Sequence, residues 1–173
     1  MKVIPLIIGL TVVTSLSSLA QAPHAADSLR AQASRMATAF INADYTTFIH
    51  YMHPKVVQLS GGADNLKQQL AQMTRQMSIG GMTFSSVTVD SASDIIKAAV
   101  TLQATIKQHT TVKLSQGRSV ATSTLIGMSS DNGLHWKFVD THNKTIEDMR
   151  QLLPNLSASL VIPPTQQPVH YDQ

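Results

Sequence analysis

The chain has 173 residues, with 13 Lys+Arg against 10 Asp+Glu and a formal charge of +3 at neutral pH. That excess is too small and too scattered to suit a nucleic-acid partner or an anionic membrane surface. Without cysteine, a disulfide framework, thiolate chemistry and lipid attachment at a cleavage-site cysteine are all excluded.

The chain opens as an export signal. Lys2 supplies a positive start, and Val3 to Val13 form an apolar run too short to span a bilayer. Ala20-Gln21-Ala22 then matches the small-x-small pattern that signal peptidase reads, which places cleavage after Ala22. Residues 1–22 are thus expected to be a signal peptide, 23–163 a single domain and 164–173 a proline-rich, mobile tail. The expected location is the periplasm or the exterior, and no membrane span is expected in the mature chain.

From Asp27 to Asn42 the apolar positions Leu29, Ala33, Met36, Ala37 and Phe40 recur at helical spacing, with Asp27 as N-cap. Asp44 caps a short second helix carrying Phe48, Ile49 and Met52, which His53-Pro54 ends because the residue before proline leaves the α region. A third helix runs from Asp64 to Ser78 on Leu66, Leu70, Met73 and Met77, closed by Gly80-Gly81.

Beyond Gly81 the period becomes two. Met82 to Val89 reads as a strand, with Ser85-Ser86 breaking the alternation at a bulge. Val100, Leu102, Ala104 and Ile106 mark one apolar face of a half-buried strand. Turns at Ser115-Gln116-Gly117 and Asp131-Asn132-Gly133 lead into Ser119–Met128 and His135–Asp140, so the strands form an antiparallel meander. Thr145 with Asp148 makes a weaker relative of the capping box, opening a last short helix through Leu153 that Pro154 terminates. Helices first and antiparallel strands second define an α+β fold, with helices packed on a curved sheet.

This order resembles the nuclear transport factor 2-like superfamily, cystatin-like in the broad sense. His53-Pro54-Lys55-Val56-Val57 with Gly61-Gly62, the stretch Met128 to Asp140, and Pro154-Asn155-Leu156 through Ile162-Pro163 resemble a group of small secreted bacterial proteins of that fold without an established activity. The resemblance implies a cone-shaped domain, and the dimers common among such proteins imply a homodimer through the sheet. The superfamily includes isomerase-like and dehydratase-like enzymes, but their acid–base residues do not align onto positions here, so no catalytic residue is carried over.

Two groups of residues are candidates for a pocket. Tyr45, His50 and His53 cluster around the second helix, where His50 and His53 would share a face if that helix continued. Zinc needs three or four convergent ligands, so two histidines fall short and no metal site is assigned. Trp136, Phe138 and Asp140 share a strand face, where a desolvated carboxylate could serve as a base; a strand-ending Asp more commonly caps the following loop, here with Thr141 and Asn143. No phosphate-cradling glycine loop or nucleophile elbow occurs, and no cofactor is expected. The expected function is an exported, non-catalytic binding or assembly module for a small apolar ligand, the alternative being a small-molecule isomerase, dehydratase or hydrolase that uses a pocket carboxylate or histidine.

Overall fold

The computed structural model describes residues 21–172, with side chains from residue 24 onward. The signal peptide expected over 1–22 therefore lies outside the described residues, apart from Gln21 and Ala22, which open the first helix. The fold is α+β: N-terminal helices pack on a six-stranded antiparallel sheet, and a short helix follows.

Helix α1 spans Gln21–Ile41 and presents Ala25, Leu29, Ala33 and Met36 to the core at intervals of three and four residues. Asp27 was expected to cap this helix and instead lies inside it. The apolar stripe begins a turn earlier, at the buried Ala25. Helix α2 (Tyr45–Tyr51) begins as expected at Asp44, whose Oδ1 accepts from the Thr47 amide at 3.1 Å. Pro54 ends that helix but also occupies the first turn of a further helix, α3 (Pro54–Leu59), where its missing N–H costs nothing. Helix α4 (Ala63–Ile79) completes the layer, with Leu66 buried against Tyr45 and Ile49.

The sheet is organised around one long hairpin, β3 (Thr101–Lys113) with β4 (Arg118–Ser129), paired from Leu102↔Ser129 to Lys113↔Arg118. Each outer edge of the hairpin is shared by two strands. Strands β1 (Thr83–Ala92) and β2 (Ile96–Ala98) flank β3, while β5 (Lys137–Asp140) and β6 (Val169–Tyr171) flank β4. The bulge expected at Ser85-Ser86 is present as a register shift between Phe84 and Ser86. Val100, expected on the strand's apolar face, is 84% exposed in the turn before β3, beside Ala99 at φ 51°.

The two faces of the sheet are covered by different parts of the chain. On one, α1 meets Ala104, Ile106, Leu125, Trp136 and Phe138. Gly127 permits this close approach, since a Cβ there would fall 2.9 Å from Leu29 Cδ1 and 3.2 Å from Trp136 Cε3. On the other face, helix α5 (Ile146–Leu152) and the strap after it bring Met149, Leu153, Leu156 and Leu160 onto Ile126 and Val139. The expected cap of α5 forms as a full capping box, with Thr145 and Asp148 exchanging bonds.

This second cover explains why β3 is not half-buried. Residues 103–106 are buried on both faces, including the polar Gln103. Its amide accepts from the Ser157 backbone at 2.8 Å and donates to the Asn155 carbonyl at 2.9 Å, clamping the strap to the sheet. The stretch expected to be a mobile tail, 164–173, carries β6, which pairs with Arg118–Val120 of β4. Among the described residues no helix is long and apolar enough to cross a membrane.

Candidate functional site

The six residues singled out from sequence do not meet in one pocket. Trp136 is 1% exposed and Phe138 equally buried, both spent in the core beneath α1. The Trp136 indole donates to the Gly133 carbonyl at 3.1 Å, and its backbone N–H to the Gln32 side chain of α1 at 2.9 Å. Tyr45 belongs to the cluster between α2 and α4, and its hydroxyl bonds Thr74 Oγ1 at 2.8 Å.

His50 and His53 do not share a helix face. Helix α2 stops at Tyr51, and Met52 is already extended. His50 is exposed against the Tyr51 ring, and its carbonyl accepts from the Lys137 ammonium. His53 instead caps α3, with Nδ1 accepting from the Lys55 amide at 3.2 Å. That bond needs a neutral ring, and burial depresses the His53 pKa below its ordinary value, which favours the same state.

Asp140 ends β5 and caps the loop after it: Oδ1 accepts from the His142 amide at 2.8 Å, and Oδ2 from Ser123 Oγ at 3.2 Å. Part of the residue reaches solvent, yet the protein around its carboxylate withholds enough water to raise the pKa. The bonds from His142 and Ser123 oppose that rise. Among the described residues no group of three or more His, Asp or Glu is placed to hold a metal ion.

A roomy concavity lies elsewhere, on the face that α5 covers in part. It is a groove of about 1040 Å³ between the end of β1 with its following turn, residues 89–94, and the strap at Ser159–Val161. Thr105, Lys107 and Thr124 line it from the hairpin, and Arg30 reaches it from α1. Its apolar lining comes from Val89, Ala92, Ile96 and Leu160. Neither Arg30 nor Lys107 has a carboxylate within 4 Å among the described residues.

At the rim of the groove, three strands bring together Asp90, itself a lining residue, His109 and Thr122. His109 Nε2 is 3.1 Å from Asp90 Oδ1, and Nδ1 is 3.0 Å from Thr122 Oγ1. Sequence reasoning passed over all three, because only the β1–β3–β4 register brings residues so far apart in the chain together: Thr122 stands opposite His109, and Asp90 lies on the diagonal, two residues along from the Thr88 that faces His109. The geometry orients the imidazole and leaves it part-exposed. No family model, curated protein or solved structure matches the chain.

Proposed function

We propose that this protein is an exported, non-catalytic binding module whose ligand lies in the groove between β1 and the C-terminal strap. The observation that carries this reading is the composition of the groove: apolar walls at Val89, Ala92, Ile96 and Leu160, two cations, Arg30 and Lys107, with no carboxylate within 4 Å among the described residues, and two carboxylates, Asp90 and Asp94, on the β1 side. Such a lining suits a small amphipathic ligand with an apolar body and a strongly polar or zwitterionic group. The sheet aromatics offer no comparable space, since Trp136 and Phe138 are packed under α1. Export rests on the leader read from residues 1–22. The nuclear transport factor 2-like resemblance belongs to the same reading, supported by the order of helices before the meander.

The enzymatic alternative draws less support. Tyr45, His53 and Asp140 sit on separate elements, and the Asp140 carboxylate is engaged by His142 and Ser123. A homodimer through the sheet would use the outer part of the hairpin, because the inner part is already covered on both faces by α1 and the strap.

A thermal-shift screen of small amphipathic molecules, zwitterions and anions included, on the purified chain tests the reading, since a ligand that prefers the native state stabilises it by mass action. The Lys107→Glu and Arg30→Glu variants, altered at exposed positions, should fold normally and lose the shift. A ligand that binds both variants as tightly as the parent lies outside the groove and refutes the assignment.

A further inference from the structure

The methionines of the described residues divide into two groups. Met36, Met52, Met128 and Met149 belong to the hydrophobic clusters or pack against them. Met73, Met77 and Met82 do neither, and all three gather at the C-terminal end of α4. Met73 and Met82 are each 38% exposed, and Met77 is half-buried. Filling the core therefore does not account for them.

Local geometry brings these three together. Met73 and Met77 are one turn apart, so they stand one above the other on the same face of α4. Gly80 ends the helix, and Gly81, at φ 75°, turns the chain back. The Gly81 amide then donates to the Ser78 carbonyl at 3.0 Å, and the Met82 amide to the Met77 carbonyl at 2.9 Å. This pair of bonds is a Schellman motif, which sets the side chains of Met77 and Met82 beside each other. The Met82 methyl folds over the last turn, 3.7 Å from where a Cβ on Gly80 would lie.

The surroundings favour a cation. Helix α4 is 17 residues long and its last turn has no basic residue, so no side chain of that turn offsets the partial negative charge at its C-terminus. Arg75 lies midway between Met73 and Met77 in the chain and projects from the opposite side of the helix. Thioether sulfur is a soft, neutral donor that takes Cu(I) in preference to calcium or magnesium. The chain has no cysteine, so methionine is its only soft sulfur ligand. The unbranched side chain of methionine also lets the sulfur move onto an ion without shifting the backbone.

We propose that Met73, Met77 and Met82 form a three-thioether site for a soft monovalent cation, Cu(I), at the C-terminal end of α4. The site uses no residue of the groove beneath the strap and stands independently of the ligand assigned there.

The probe is Ag(I), a closed-shell ion with the same preference for soft sulfur, which is stable in air. The purified chain, labelled with carbon-13 at the methionine methyls, is titrated with silver nitrate in chloride-free buffer and followed by NMR, each signal being assigned from the Met→Leu variant that removes it. The methyls of Met73, Met77 and Met82 should shift, and those of Met36, Met52, Met128 and Met149 should stay in place. Cu(I), kept reduced without oxygen, should displace Ag(I) from the same three.

Met82→Leu nearly conserves volume at a part-exposed position, so the metal-free variant should keep the thermal midpoint of the parent. Losing a ligand should cost no less than losing an outer-shell partner, so Met82→Leu should weaken Ag(I) binding at least about tenfold. Met73→Leu combined with Met77→Leu should abolish it. Three results overturn the proposal: no shift at the three methyls, shifts spread equally over the core methionines, or a Met82→Leu chain that binds Ag(I) as tightly as the parent.

Discussion

The two halves of the β3–β4 hairpin share strands but not surroundings. At 103–106 and 124–127 every residue is buried, whereas at 107–113 and 118–123 none is. The inner half is the more apolar, yet it holds Gln103, which is more fully buried than Val112 in the outer half. Alternation assigns a side chain to a face, but burial depends on whether another segment covers that face. Here α1 and the strap after α5 both reach the inner half, which becomes rigid core. The outer half keeps its polar side chains part-exposed and is joined by the short terminal strand β6.

The difference should be broken most severely at Trp136, which anchors the inner half against α1. Trp136→Ala is expected to cost about 3–5 kcal/mol, as deletions of buried aromatics do, measured as a fall in the urea midpoint. An unchanged midpoint would mean that the indole is not part of the core.

A smaller loss, about 1–3 kcal/mol, is expected for Gln103→Ala, because the Asn155 carbonyl and the Ser157 amide lose their partner where water has little access. Hydrogen exchange distinguishes the clamp from general weakening: residues 153–162 should lose protection ahead of β3 and β4. Uniform loss across the sheet would count against a clamp.

The smallest effect sharpens the comparison at the turn joining β4 to β5, where Asp131 is only partly buried. Bonds from the His135 amide and imidazole hold the Asp131 pKa down at about 2. A carboxyl depressed in the native state stabilises the fold above its unfolded pKa, and that contribution fades as pH falls from near 4 toward 2. A carboxyl titration followed by NMR should place the midpoint near 2, and His135→Ala should move it upward. A midpoint at the ordinary carboxylate value in the parent chain would show that the pair does not form.

Local signals were readable wherever a short stretch of chain contains its own physical reason. Asp44 and Thr145 cap helices through bonds to residues three positions away, and Ser85-Ser86 interrupts a two-residue period at the bulge itself. Helix α3 was missed because its six residues bury nothing fully and show no apolar stripe. The pocket expected around Trp136 and Phe138 failed for another reason. An apolar strand face reads the same whether it lines a cavity or a packed helix, and only the position of α1 distinguishes the two.

By itself, then, the sequence determined the helix and strand periods, the caps, the turns and the absence of any disulfide, since each depends on neighbouring residues or on composition. The tertiary structure alone decided the burial of Gln103, the meeting of Asp90, His109 and Thr122, the groove beneath the strap, and the seating of β6 beside β4. Each of these joins residues far apart in the chain, and which of them meet is set by strand register and by the segment that packs over the sheet, neither of which a local pattern encodes.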